Sequence, residues 1–562
     1  MSASLPIHDR SCGLDFYAPA PCSSPLRVLR TGTVKMPSRL VLIIFSLLLA
    51  ASIAAATDVT TFHNDTERTG QNLQESTLTP ANVNSSSFGK LFTVPLDGVV
   101  DAQPLYLSTL TIPGQGTHNV LYVVTENDSV YALDADTGAT LWHASVLEAG
   151  ETPSDTRGCG QITPQIGVTS TPVIDRTSGP DGTIYAVAMS KKSGTYYQRL
   201  HALDLTTGQE EFGGPVTVQA TYPGTGDGSQ GGNVVFAPAQ YAERAGLLLL
   251  QGVIYTAWTS HCDARPYTGW LIGYSESTLA QTSVLDVTPN GNEGAIWQDG
   301  DGLAADPSGF IYFLDANGTF DSTLTAQGFP VNGDYGNGIL KVSPKSGKLR
   351  VVDYFNMYNT VSESDADEDL GSGGIMLLPP QKDASGTTWN LAVGAGKDGN
   401  IYIVNRGNMG KFNPNGDSAI YQEIDGVLGG GMWASPAYFA SNVYDGPQGN
   451  NLLQFRFSQA KLSTSAIHKS PGTFEYPGTT PSVSANGSQN AIVWAIEHSN
   501  PSVLHAYKAA NIGSELYNTN QAAGGRDQFG EASHFGTPTI VNGKVYVGTT
   551  SGVAAFGLLS GK

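Results

Sequence analysis

The sequence predicts an all-β protein, an eight-bladed β-propeller of four-stranded antiparallel blades closed by an N-terminal strand. Three observations predict it. From residue 88 onward, short apolar and aromatic runs alternate with Gly, Pro, Asn and Asp clusters, the pattern of strands and turns. No long stretch carries a helical period. The runs recur in units of about 60 residues, and a single four-stranded sheet cannot bury both its faces, so the copies must stack.

The first unit is the clearest. Val120-Leu-Tyr-Val-Val124 is a strand, residues 126–129 turn, Val130-Tyr-Ala-Leu-Asp134 is a second strand, and Ala135-Asp-Thr-Gly138 turns into the strand ending at Trp142. A second copy runs through Val173, Gly182-Thr-Ile-Tyr-Ala186 and His201-Ala-Leu-Asp204 to Thr207-Gly208. Weaker copies follow near residues 247–274, 310–347, 390–404, 433–457, 480–507 and 536–557. The last copy lacks an outer strand, which Lys90-Leu-Phe-Thr-Val94 would supply, and closure of the ring would remove exposed edges. Seven blades is the alternative count, because the middle units are degenerate.

The start of the chain reads as an address. Lys35 and Arg39 precede the apolar run 40–51, and Ala54-Ala55-Ala56 offers a cleavage site, the pattern of a secretory signal peptide over residues 36–56. A membrane anchor is the alternative, and the run is short for one. Residues 1–35 form a leader or a mis-assigned start before Met36, residues 57–87 an N-terminal arm that clasps one face, and residues 88–562 the propeller. The expected location is periplasmic or extracellular, with no stable membrane span after processing.

Composition narrows the function. The 29 basic against 49 acidic residues give a net charge of −20, which repels phosphate backbones and argues against nucleic-acid partners. Four Cys exclude a disulfide-dense scaffold. Cys12 and Cys22 fall in the leader, which leaves Cys159 and Cys262. In an exported protein two thiols pair, and two free buried thiols are the alternative. The run Asp365-Ala-Asp-Glu-Asp369 fails as an EF-hand, since the required Gly and Glu positions hold Leu370 and Met376, and it reads as a solvated acidic loop. His261, His498 and His534 fall in inter-strand loops.

The segment Tyr131-Ala-Leu-Asp-Ala-Asp-Thr-Gly-Ala-Thr-Leu-Trp142 resembles the tryptophan-docking repeat of the quinoprotein alcohol dehydrogenase-like propellers. The resemblance spans most of residues 88–557 and implies eight four-stranded blades. Some members of that superfamily bind pyrroloquinoline quinone (PQQ), and others are non-catalytic scaffolds. Gly294-Ala-Ile-Trp297 and the strand leading to Asn317-Gly318 resemble the segment that gives a Trp floor under the quinone and an Asn metal ligand. Gly333-Asp334-Tyr335 resembles the segment with the catalytic Asp. Gly396-Lys397-Asp-Gly399 resembles the segment whose basic residue contacts the quinone oxygens. The resemblance thus implies Asp334 as base, Trp297 and Lys397 on PQQ, and Asn317 on Ca²⁺.

The chain also departs from that pattern. Lys191-Lys-Ser-Gly-Thr-Tyr-Tyr-Gln-Arg199 stands where the dehydrogenases carry a Glu metal ligand, and two lysines there would oppose Ca²⁺. Their adjacent-cysteine disulfide is missing, and no CxxCH haem motif exists, so electrons would need an external acceptor. Two functions follow. One is a PQQ- and Ca²⁺-dependent oxidoreductase acting on an alcohol or sugar. The other is a non-catalytic extracytoplasmic propeller that binds a glycan, peptide or partner protein.

Overall fold

The computed structural model describes residues 57–560. The expected leader and signal peptide, residues 1–56, with Cys12 and Cys22, lie outside the described residues.

Turn chemistry sets the repeating unit. Asp134 Oδ1 accepts from the amides of Asp136 (3.0 Å) and Thr137 (2.8 Å) and from the Thr137 hydroxyl (2.8 Å), and Gly138 takes φ +79°. Asp204 repeats this with Thr206 and Thr207 ahead of Gly208 at φ +69°. Aspartate and threonine here replace the backbone partners that a tight turn forfeits. A Cβ on Gly208 would stand 2.7 Å from the Trp142 ring, whose Nε1 donates to the Leu205 carbonyl at 2.9 Å. The motif is therefore a docking device: the tryptophan of one sheet lies on the turn of the next.

The described residues form eight sheets of four or five strands and two smaller ones. The first joins Leu105–Ile112, Gly116–Thr125, Ser129–Asp134 and Thr140–Ser145; the fourth joins Ala304–Ala305, Ile311–Leu314, Ile339–Ser343 and Arg350–Phe355. The fifth joins Met376–Leu377, Leu391–Ala395, Ile401–Asn405 and Gln422–Ile424. In the eighth, Thr539–Val541, Lys544–Thr549 and Gly552–Leu558 are followed by Phe88–Pro95, which pairs antiparallel with Gly552–Leu558 from Phe88↔Leu558 to Pro95↔Gly552. The strand expected at residues 90–94 is thus found, two residues longer at its start and one at its end.

Adjacent sheets share one contact repeatedly. A second-strand tyrosine donates its hydroxyl to a carbonyl of the next sheet's turn: Tyr122 to Leu205 (2.8 Å), Tyr185 to Glu276 (2.8 Å) and Tyr444 to Ala509 (2.6 Å). Tyr546 of the eighth sheet does the same to Ala135 of the first, at 2.7 Å. Burying an aromatic ring while satisfying its hydroxyl explains why Tyr recurs in the strand runs. The core is distributed between sheets, with Trp258, Trp270 and Trp494 fully buried.

The arm bonds to the first strands of six of these sheets. Its backbone bonds in chain order to first strands: Val59 with Tyr106, Thr60 with Ile174, Thr66 with Ala305, Glu67 with Leu377, Thr69 with Tyr438 and Gly70 with Val483. Arg68 is fully buried at its centre. Its guanidinium donates to the Leu303 carbonyl (3.0 Å), the Thr61 hydroxyl (2.7 Å) and the Phe62 carbonyl (2.7 Å). Gly70 must be glycine: φ is +67°, and a Cβ would fall 2.4 Å from the His63 ring.

Among the described residues no helix is long and apolar enough to cross a membrane.

Candidate functional site

A cleft of about 320 Å³ opens at one end of the strands of the third to seventh sheets. Short connections bring its groups together. Trp297 comes from the segment entering the fourth sheet, and Asn317 follows the strand Ile311–Leu314. Asp367 and Asp369 follow the seven-residue helix Thr360–Ala366, and Lys397 follows the strand Leu391–Ala395. Trp433 and Tyr476 complete an aromatic side, and Cys262 and Asp263 close the margin next to the third sheet. Cys262 is disulfide-bonded to Cys159, with Cα atoms 5.5 Å apart, so the bridge expected from the two remaining thiols forms and ties one wall of the cleft.

The charges are arranged around Lys397. Its Nζ lies 2.5 Å from Asp367 Oδ1 and 2.6 Å from Asp369 Oδ1. Burial disfavours the ammonium, but the two carboxylates outweigh it and raise its pKa. Asp369 is only 2% exposed, and burial, partly offset by Lys397, pushes its carboxyl up to about 6. Asn317 Nδ2 donates to Asp367 Oδ1 at 2.6 Å, while its Oδ1 is buried with no hydrogen-bond partner. Asp263 accepts from the Tyr267 hydroxyl at 3.0 Å, and its charge also acts on Asp369. The Trp297 ring meets Phe535 edge-on at 5.8 Å, and the buried Arg244 guanidinium lies 5.8 Å from its centroid.

Three of the four residues singled out from the sequence, Trp297, Asn317 and Lys397, therefore line one cleft. Asp334 does not. It is buried nearby in the chain, where its Oδ1 accepts from the Asn290 amide at 2.8 Å, and burial lifts its carboxyl to about 6. The cleft's carboxylates are instead Asp263, Asp367 and Asp369. The acidic run 365–369 was the signal for Asp367 and Asp369. It reads as a solvated loop only if the chain stays extended; the helix and the left-handed Asp367 (φ +60°) turn Asp369 inward. The lysines expected to oppose a metal are elsewhere: Lys191 pairs with Asp155, and Lys192 donates to the Ala149 carbonyl. His261 is buried and His498 half-buried, and desolvation holds both neutral, with pKa values pushed down to about 4 and about 3; His534 packs on Tyr476.

No family model matches the chain, and no curated protein matches it in sequence. Solved structures do. The quinohemoprotein alcohol dehydrogenase from Comamonas testosteroni superposes with a TM-score of 0.58 at 15% identity, over 90% of this chain and 81% of that one. A quinohemoprotein alcohol dehydrogenase from Pseudomonas putida HK5 gives 0.58 at 14% identity, over 89% and 80%. A europium-containing methanol dehydrogenase gives 0.57 at 13%, over 89% and 98%.

Proposed function

We propose that this chain, which has the β-propeller fold of the quinoprotein alcohol dehydrogenases, is an exported oxidoreductase that uses PQQ and Ca²⁺ in the cleft to oxidise an alcohol or a sugar. The observation that carries the reading is the convergence of Trp297, Asn317 and Lys397, from three separate segments, beside Asp367 and Asp369. On the same reading the eight sheets are blades of a closed ring, held by Phe88–Pro95 and by the Tyr546 contact to the first sheet.

The residues suit both groups. The buried, unpartnered Asn317 Oδ1 and the Asp367 carboxylate are hard oxygen donors of the kind Ca²⁺ takes. Among the described residues no three His, Cys, Asp or Glu side chains gather into a metal site, so a cation held in the cleft would need the Asn317 amide oxygen beside Asp367. Three carboxylates against one lysine leave the cleft acidic. An anionic quinone would therefore enter together with a cation. When bound, the quinone would supply the two-electron acceptor.

The chain's own groups have definite tasks. The Trp297 ring, fixed by Phe535 and Arg244, offers a flat stacking face. Lys397 holds positive charge where an acceptor oxygen would gain electron density. Asp369, the most buried of the cleft's carboxylates, lines the cleft and Asp334 does not, so the role of base falls to Asp369 rather than Asp334. Electrons would leave to an external acceptor. Export rests on the signal sequence, and the Cys159–Cys262 bridge supports it, because disulfides persist in oxidising compartments.

Two observations favour the second reading, a non-catalytic binder of a glycan, peptide or partner protein. Lys397 already balances both Asp367 and Asp369, and Trp433 and Tyr476 offer aromatic platforms. Residues 57–562 supplied with PQQ and Ca²⁺, or Eu³⁺ in a second arm, should reduce an artificial dye when given primary alcohols or aldoses. PQQ binding without dye reduction for any of them would favour the binder.

A further inference from the structure

We propose that the protein carries a second ligand site, at the opposite end of the same strands, that binds a small monocarboxylate with an apolar body through Arg406 and Lys341. A cavity of about 640 Å³ lies there and shares no lining residue with the cleft. Strand direction separates the two. Asn390, just before the strand Leu391–Ala395, lines the cavity, whereas Lys397, just after it, lines the cleft. Likewise Phe310 precedes the strand Ile311–Leu314 on the cavity side, and Asn317 follows it on the cleft side.

The Arg406 guanidinium is under-coordinated. The residue is 9% exposed, and its one hydrogen bond from the guanidinium among the described residues runs from Nη2 to the Leu378 carbonyl at 3.4 Å. Its Nε is buried with no partner. Asp306 is the one carboxylate within ion-pair range, at 3.8 Å, and its oxygens are already used by the Tyr312 hydroxyl (2.8 Å) and the Ser308 amide (2.9 Å). A guanidinium has five donors, and leaving them idle in a desolvated place is costly.

Lys341 adds a second cation to the same cavity. Its Nζ donates to the Arg406 carbonyl at 2.7 Å and stands 4.3 Å over the Phe310 ring; among the described residues no carboxylate lies within ion-pair distance of it. Burial lowers its pKa, only partly offset by the more distant Asp306 and Asp353 carboxylates. An anion bound here would satisfy both cations, and Phe310, Pro307, Pro379 and Pro380 supply apolar walls for its body.

The arm sets the charge limit. It contributes Asp65 and Glu67 to the cavity. Asp65 is engaged by the Thr69 amide at 2.9 Å and by the Thr69 hydroxyl, but both acids still oppose a multiply charged ligand. A monocarboxylate is therefore favoured over a phosphate ester.

Calorimetric titration of residues 57–562 with 3-phenylpropionate tests this, with 3-phenylpropanol and phenyl phosphate as comparison arms. The expected result is saturable binding of the carboxylate alone, weakened about tenfold or more in Arg406→Gln and in Lys341→Met, and tightened in Glu67→Gln. The gain in Glu67→Gln keeps the test decisive if Arg406→Gln fails to fold, because misfolding cannot tighten binding. Absence of saturable carboxylate binding, equal binding of the alcohol, preference for phenyl phosphate, or unchanged affinity in both folded cation variants would overturn the site.

Discussion

Lys397 Nζ lies 2.6 Å from Asp369 Oδ1, and the Lys397 amide donates to the Asp369 carbonyl at 2.9 Å. The two residues are 28 positions apart and belong to different sheet connections, yet they are fixed to each other by both side chain and backbone. That double tie presets the distance between the cleft's cation and its most buried acid.

The pair gives the first prediction. In dye-reduction assays Asp369→Asn should lower kcat by about a hundredfold or more, the usual contribution of a general base. Asp334→Asn should leave kcat within a few-fold of the parent. The reverse order would return the base role to Asp334.

Arg68 gives the second. It is a buried cation whose donors hold the arm to itself and to Leu303, just ahead of the fourth sheet. Arg68→Met removes charge-assisted bonds and leaves several acceptors unfilled, so it should destabilise by about 3 kcal/mol or more. Urea unfolding followed by tryptophan fluorescence measures this, and an unchanged midpoint would mean that the arm is held by its backbone bonds alone.

The disulfide gives the third. Cys159 and Cys262 close a loop of 103 residues in sequence separation. Reduction, or the Cys159→Ser, Cys262→Ser double variant, should cost roughly 2–5 kcal/mol and should also loosen ligand binding, because Cys262 lines the cleft. Thermal melts with and without reductant report the first effect, and affinity in the double variant the second.

The buried acids give the fourth, a pH dependence. Burial lifts Asp286, Asp301, Glu363, Glu423 and Asp445 to about 7 and Glu243 to about 8. Their folded-state values exceed the unfolded ones, so in this window the folded protein holds more protons. Stability must then fall as pH rises from about 6.5 to 8.5. The histidines His63, His261 and His498, lowered by desolvation to about 4, 4 and 3, act in the opposite sense but only below pH 6.5. A melting temperature that decreases between pH 6.5 and 8.5 is expected; a flat or rising profile would contradict the burial of these carboxylates.

Much of the fold was legible because local chemistry and global packing agree. The Asp134 turn, Gly138 and Trp142 carry their structural roles in their identities, and the recurring strand tyrosines mark the contacts between sheets. The pairing of Phe88–Pro95 with the last strand was legible from a missing outer strand in the last unit. Trp297, Asn317 and Lys397 were legible through a resemblance of short segments. Asp369 was not, because its burial depends on a seven-residue helix with no side-chain N-cap bond, and spacing in sequence does not reveal which way such a turn aims. The path of the arm was illegible for a different reason: its bonds to six sheets are made by the backbone, which leaves no mark on residue type. The acids near Arg406 and the arm meet only after that path is known.

Calorimetric titration of residues 57–562 with PQQ in excess Ca²⁺, beside a Trp297→Ala, Lys397→Ala variant, tests the central claim most directly. Saturable binding of one PQQ per chain, dependent on the cation and lost in the variant, is the predicted result. Absence of PQQ binding with either Ca²⁺ or Eu³⁺, in protein that unfolds cooperatively, would contradict the claim and leave the cleft to a glycan, peptide or protein partner.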